Sequence, residues 1–188
     1  MTHVQPLPRP SRDDYYMGIA LAVRRRANCL GSRVGAILVL DDRIIATGYN
    51  GTPAGFTNCD QGGCDRCKNR HHYVSGEAYD LCVCVHAEQN AILTAARFGI
   101  AVAGATCYTT TRPCYGCSKE LLQAQVVGVR FLHDWSHPKE SLRKAYESLQ
   151  DHFPQKVLSV PIEDPDAEWA VSAKRLKESV KTDPDQVP

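Results

Sequence analysis

A long aperiodic segment, Asn50 to Val85, lies between two stretches of clear hydrophobic periodicity and limits how this chain can fold. The segment is rich in Gly, Cys, His and Asn. A connection of that length inside a compact domain is normally functional, or is pinned by something other than a core. Cysteines are the natural pins, because the chain carries nine of them. The N-terminal stretch Met1 to Pro10 holds three prolines and no apolar core, so it is not expected to act as a secretory signal. A cytoplasmic location follows as the expectation, where thiols stay reduced. Nine is also an odd number, so complete pairing into disulfides is excluded. Metal binding is then the first explanation for the cysteines.

The periodic parts alternate in type. Asp13 to Ala27 repeats apolar residues at helical spacing. Val34 to Leu40 and Arg43 to Tyr49 read as strands joined by Asp41-Asp42, a hairpin. After the aperiodic segment, His86 to Phe98 reads as a helix stopped by Gly99. Gly104 to Thr111 reads as a strand, Cys114 to Ala124 as a helix and Val126 to Leu132 as a strand. His137 to Phe153 is expected to be helical, and Val157 to Val160 to form a last short strand. This alternation predicts an α/β fold, a three-layer α/β/α sandwich on a mixed five-stranded sheet. The expected organisation is a flexible segment 1–12, one domain over 13–160 with a Cys-rich insert at 50–85, and a charged tail over 161–188. The tail has room for one helix, Asp166 to Val180.

A net charge of +1 excludes the broad basic face that nucleic-acid binders usually show. The one basic cluster, Arg24 to Arg26, reads as a solvated helix face. No apolar run has the roughly 18 to 20 residues that a membrane-spanning helix needs.

Two short motifs stand at predicted helix starts: His86-Ala87-Glu88 and Pro113-Cys114-Tyr115-Gly116-Cys117. Cysteines three apart at a helix start project toward one point. A histidine from a second helix start completes three ligands and leaves the fourth tetrahedral position for water, the arrangement of a catalytic zinc. Glu88, two residues after the histidine, reaches that water without binding the metal. There it can move protons in a hydrolytic deamination, in which water attacks a ring amidine carbon and an amine leaves. Either motif alone is weak: a lone His-Ala-Glu fits any helix, and a lone C-x-x-C could be redox-active or half of a structural zinc site.

Together the motifs match the zinc deaminase pattern of H-x-E followed by P-C-x-x-C. From about Tyr15 to Trp135 the chain resembles the deoxycytidylate (dCMP) deaminases of the cytidine deaminase-like superfamily. The resemblance rests on Val34-Gly35-Ala36, Thr47-Gly48-Tyr49-Asn50-Gly51, Val85 to Ile92 and Pro113 to Cys117. It implies conversion of dCMP to dUMP and ammonia, with Glu88 as proton carrier and His86, Cys114 and Cys117 as zinc ligands. It also implies nucleotide contacts from Asn50, Gly51 and Ala87, with Tyr115 and Trp135 as ring neighbours and Tyr108 as a further candidate. Asn50 could instead be a turn residue in left-handed geometry. Relatives that place an arginine after the aromatic for the phosphate differ here, since Ser136 and His137 follow Trp135. Arg33, Arg112, Lys119 and His137 are the substitutes. The resemblance further implies a homo-oligomer, dimer or hexamer, and regulation by dCTP and dTTP.

Of the remaining cysteines, Cys107 falls inside a strand and reads as a small buried apolar residue. Cys29, Cys59, Cys64, Cys67, Cys82 and Cys84 are candidate ligands of at least one structural zinc, with His71 and His72 nearby as further candidates. Cys29 and Cys59 match the positions of a second zinc in several dCMP deaminases. Such a metal would fix the Asn50 to Val85 loop over the active site. The competing functions are a deaminase of another cytosine compound (dCTP, a modified dCMP or cytidine), a nucleic-acid deaminase, and a non-catalytic zinc module. An editing deaminase needs an electropositive track that the charge does not provide. A structural module needs no Glu88.

Overall fold

A computed structural model describes residues 8–73, 77, 81–137 and 139–170. Helix α1 (Arg12–Arg24) starts where the Ser11 hydroxyl accepts the Asp14 N–H at 3.1 Å, and Asp13 and Asp14 in the first turn suit the helix dipole. Strands β1 (Gly35–Leu40) and β2 (Arg43–Tyr49) form the expected hairpin. Asp41 and Asp42 both take positive φ, 49° and 59°, the pattern of a two-residue turn whose twist suits the strands. Among its described residues, the long segment carries a four-residue helix, α2 (Asp65–Lys68), and short 3-10 turns that include Cys59–Gln61 and Arg70–His72. Then follow α3 (Ala87–Arg97), β3 (Thr106–Thr111), α4 (Tyr115–Gln123), β4 (Gly128–His133), α5 (Glu140–Gln150) and β5 (Val157–Ser159). Residues 171–188 lie outside the described set, and with them most of the expected helix from Asp166 to Val180.

The sheet is five-stranded in the order β2-β1-β3-β4-β5. Strand β1 is antiparallel to both neighbours, and β3, β4 and β5 run parallel, so the sheet is mixed as expected. Strand parity divides the core between two faces. Ala36, Leu38 and Cys107 pack with Ala87, Ala91 and Ala95 of α3 and Leu121 of α4. Ile37, Val39 and Tyr108 pack with Tyr16, Met17 and Ala20 of α1. Strand β1, covered on both faces, is accordingly apolar throughout.

Glycines let the outer layers close onto the sheet. A Cβ at Gly48 would sit 2.2 Å from the Ala87 carbonyl oxygen and 2.4 Å from the Ala91 nitrogen, so β2 touches the first turns of α3 backbone to backbone. Gly48→Ala is expected to destabilise the fold by about 1–3 kcal/mol or more, because backbone atoms cannot swing aside. It should also lower turnover by displacing the turn that carries Glu88. Urea unfolding midpoints and rates on equal protein check both.

The basic cluster corrects the sequence reading. Arg25 and Arg26 are exposed, but Arg24 is only 1% exposed. Its guanidinium holds Asp164 through two bonds of 2.7 and 2.6 Å and also donates to the Asp166 carbonyl. The stretch just after β5 therefore packs on α1. Trp169 adds to this, accepting the Arg33 N–H on its carbonyl at 2.8 Å and lying under the Arg33 guanidinium.

Candidate active site

The two motifs meet where their helices begin. His86 is the N-cap of α3, and its backbone N–H donates to the Gln89 side-chain oxygen at 2.9 Å, which fixes the entry into the helix. Cys114 is the N-cap of α4, directly after the C-terminal end of β3. His86 Nδ1 lies 3.5 Å from Cys114 Sγ and 3.3 Å from Cys117 Sγ. All three ligand atoms fall within 4.8 Å of one another, a group able to hold a metal ion. One imidazole nitrogen and two sulfurs are a donor set that zinc takes readily, with a tetrahedral position left over.

The charges fit that use. The Cys114 thiol is pulled down to about 4 by the hydrogen bond from Cys117 and by His86, against the effect of burial. Burial alone would lower the His86 imidazole, but the Cys114 sulfur and the Glu88 carboxyl outweigh it and lift the group to about 9. Cys117 is pushed up by its bond to Cys114 and by burial. The lowered Cys114 group favours the thiolate, the form in which a divalent cation takes a sulfur ligand.

Glu88 sits in the first turn of α3, 4% exposed. Burial raises its pKa, with His86 opposing and Cys114 adding. The Thr109 hydroxyl lies 3.0 Å from Glu88 Oε1 and 3.1 Å from the Thr111 carbonyl. A hydroxyl has one proton and two lone pairs. Thr109 can therefore donate to an ionised Glu88, or turn to Thr111 and accept from a protonated one. Both charge states of the carboxyl are satisfied without moving the backbone.

A cleft of about 760 Å³ opens at this point, lined by His86, Cys114 and Cys117 together with Tyr115, Trp135 and His137. Tyr115 is 40% exposed and Trp135 is partly buried, its ring edge-on to Tyr146 at 5.3 Å. Ala87 is fully buried. Tyr108 corrects the expectation of a ring neighbour: odd–even alternation along β3 sends it to the α1 face, where its hydroxyl donates to Asp13 at 2.6 Å. Asn50 is buried and is absent from the positive-φ residues, so the left-handed turn reading does not hold. Its Oδ1 accepts the Val34 N–H and its Nδ2 donates to the Ser32 carbonyl, both at 2.8 Å. Gly51 pairs with Val85 through bonds of 3.2 and 2.9 Å, tying the Gly-Tyr-Asn-Gly element to the residue before His86.

Three residues that sequence reasoning passed over, Tyr146, Gln150 and Ser118, hold the cysteine turn. The Pro113 carbonyl accepts from Tyr146 Oη at 2.8 Å and Gln150 Nε2 at 3.1 Å, and Gln150 also bonds Ser118 and Arg112. Ser118 in turn donates to the Cys114 carbonyl at 2.9 Å. No local pattern marks Tyr146 or Gln150. Arg112 is further engaged by Asp134 at 3.2 Å, and Arg33 by Trp169.

The other six cysteines come together as well. Cys29, Cys59, Cys67 and Cys84 form one group of ligand atoms within 4.8 Å, and Cys64, Cys67, Cys82 and Cys84 form another. His71 and His72 are exposed and stack on each other, and no histidine enters these groups among the described residues. Cys107 is fully buried in the core, as expected.

A family model described as the cytidine and deoxycytidylate deaminase zinc-binding region matches residues 10–133. The chain belongs to this family. It is 41% identical to the deoxycytidylate deaminase of Schizosaccharomyces pombe, over 78% of this chain and 45% of that protein. It is 40% identical to the deoxycytidylate deaminase of Mycobacterium phage D29, over 72% of this chain and all of the phage protein. The chain thus spans under half of the fungal relative and matches the phage relative end to end. The dCMP deaminase of cyanophage S-TIM5, solved in complex with dCMP and dUMP, superposes on this family member with a TM-score of 0.60. That structure is 30% identical, and the match covers 82% of this chain and 100% of that one.

Proposed function

We propose that this deaminase family member hydrolyses dCMP to dUMP and ammonia, using His86, Cys114 and Cys117 as zinc ligands and Glu88 as proton carrier. The observation that carries the reading is the meeting of three metal-ligand atoms on the wall of one cleft, with the buried Glu88 carboxyl close enough to His86 and Cys114 to feel their charges. Zinc at such a site would supply Lewis acidity, making a water acidic enough to ionise near neutral pH. Glu88 takes the first proton of the attacking water and passes it to the ring nitrogen, then takes the second from the added hydroxyl as the new ring carbonyl forms and gives it to the leaving amine, which departs as ammonia. Thr109 keeps the Glu88 carboxyl aimed throughout this cycle. Tyr115 and Trp135 offer aromatic faces to the base, and the resemblance to the family assigns the reading of its edge to the backbone at Ala87.

Asn50 and Gly51 border the nucleotide in this reading. After its two backbone bonds, the Asn50 amide still has one N–H and one lone pair for a ligand. Of the basic groups, His137 lines the cleft and Lys119 lies 5.7 Å from the Tyr115 ring, so these two stand nearest to a bound phosphate. Arg33 and Arg112 are committed elsewhere. The six remaining cysteines serve as a structural zinc site. All nine cysteines are free, as suits a reducing compartment such as the cytosol, and no helix among the described residues is long and apolar enough to cross a membrane. Assembly into a homo-oligomer belongs to the same reading, since Leu93 and Phe98 of the α3 region are left exposed for a neighbouring subunit to cover.

The test is ammonia release from dCMP, dCTP, cytidine and a cytosine-containing oligonucleotide at equal concentration. The expected order puts dCMP first by about tenfold or more in kcat/KM, roughly the 1.4 kcal/mol that one charged contact supplies. Cytidine reacting as fast as dCMP would refute phosphate recognition, and release from the oligonucleotide alone would replace the proposed substrate.

A further inference from the structure

The two cysteine groups outside the active site overlap. Cys67 and Cys84 belong to both, and their union is six residues rather than eight. We propose that these six thiolates hold two zinc ions in one binuclear cluster, with Cys67 and Cys84 bridging, Cys29 and Cys59 completing one metal, and Cys64 and Cys82 the other. The inference rests on the reading of these cysteines as a structural zinc site and goes beyond it in metal count and connectivity.

Distances support it first. Sulfurs placed 2.3 Å from a zinc at tetrahedral angles are separated by about 3.8 Å. The sulfur separations are 3.7 Å for Cys29–Cys67, 3.8 Å for Cys64–Cys82, 3.6 Å for Cys67–Cys82 and 4.0 Å for Cys67–Cys84. These match edges of two tetrahedra that share the Cys67–Cys84 edge. They are far from the roughly 2.05 Å of a disulfide. A single four-cysteine zinc would leave either Cys29 and Cys59 or Cys64 and Cys82 without a metal, although both pairs approach the shared edge in the same way.

The surroundings point the same way. Cys59, Cys64 and Cys67 are essentially inaccessible, in a cluster whose other members are Cys29 and Cys84, with Cys82 and Leu30 packed against it. Backbone N–H groups are aimed at two of the sulfurs, Leu30 N–H at Cys59 Sγ (3.3 Å) and Gly31 N–H at Cys29 Sγ (3.4 Å). Such donors stabilise thiolates, whereas packed thiols have no need of them. Loading is balanced when six thiols release six protons to two Zn2+, leaving a net charge of 2− that these N–H groups offset in part. The segment has no apolar core of its own, and metal binding there is folding energy. Cys84 lies two residues before His86, so the bridging edge also anchors the extended segment that delivers the histidine to the active site.

The full chain, purified with zinc and desalted, is weighed by native mass spectrometry, with zinc counted independently by elemental analysis. About three zinc ions per chain are expected, and Cys67→Ser should lose two of them together while Cys114→Ser loses one. Because Cys67→Ser could fail to fold, the wild-type chain is also reconstituted with 113Cd and examined by NMR. Two cluster resonances in the tetrathiolate range, coupled to each other through shared sulfurs, are the expected result. One cluster metal, or two without coupling, overturns the bridged cluster and leaves a structural metal standing. Metal at the His86 site alone overturns both.

Discussion

Replacing Glu88 by glutamine is expected to cut turnover of dCMP by about 10³- to 10⁴-fold, the upper part of the range for one acid–base group, because in the proposed cycle a single carboxyl serves every proton transfer. The fold should tolerate the change. Glu88 is buried and its pKa is raised by that burial, so a neutral amide of the same shape removes a charge that the surroundings disfavour. The glutamine oxygen can still accept from Thr109 as Glu88 Oε1 does. The proposed metal ligands are other residues, so zinc content should stay unchanged. The measurement is kcat beside zinc per chain and the urea midpoint. Loss of rate with intact metal and stability assigns Glu88 to the chemistry. Loss of zinc in parallel would make it a structural support, and an unchanged rate would remove it from the mechanism.

The parts of this site that were legible in the sequence are the parts encoded locally. His86, Cys114 and Cys117 announce themselves because helix starts put closely spaced side chains on one point, and Pro113 marks the second start. The hairpin was legible because Asp41-Asp42 tolerates the left-handed pair that such a turn demands. The six outlying cysteines could be read as metal ligands from composition, but their spacing could not reveal that two of them are shared. Contacts across long sequence separations left no trace. Gln150 supports Pro113 from 37 residues away, and nothing in a helix of that composition distinguishes it from a surface glutamine. Tyr108 shows a different failure. Period-2 alternation sends it away from Cys107, so the buried Cys107 on the α3 side already implied that Tyr108 faces α1. Helical periodicity likewise reports which face of α1 is apolar. It cannot report that one arginine on that helix has a partner 140 residues later.

That partner sets the largest expected effect on stability. Asp164→Ala should destabilise the protein by about 3–5 kcal/mol, because it strands a buried guanidinium. Arg24 and Asp164 have side chains only 1% and 3% exposed, so water cannot take over the lost bonds, and Arg24 Nε already lacks a partner among the described residues. His133 Nε2 would also lose its contact of 2.6 Å. At equal zinc loading the melting temperature should fall by roughly 6–20 °C for a domain of this size. The double variant Arg24→Met with Asp164→Leu should recover much of the loss, since apolar replacement of a whole buried pair is often neutral or stabilising. An exposed, weakly coupled pair would instead cost under about 1 kcal/mol. The pH dependence supplies an independent reading with a definite sign. Burial alone would raise the Asp164 pKa, but its bonds to Arg24 and His133 prevail and hold it at about 2, below its ordinary 3.8. A carboxyl depressed in the folded state adds stability above its unfolded pKa and loses it as pH falls through the folded one. The wild-type protein should therefore lose on the order of 2 kcal/mol between pH 4 and pH 2 that the Asp164→Ala variant does not lose. Parallel acid-unfolding curves for the two proteins would contradict the buried pair, and with it the docking of the stretch after β5 onto α1.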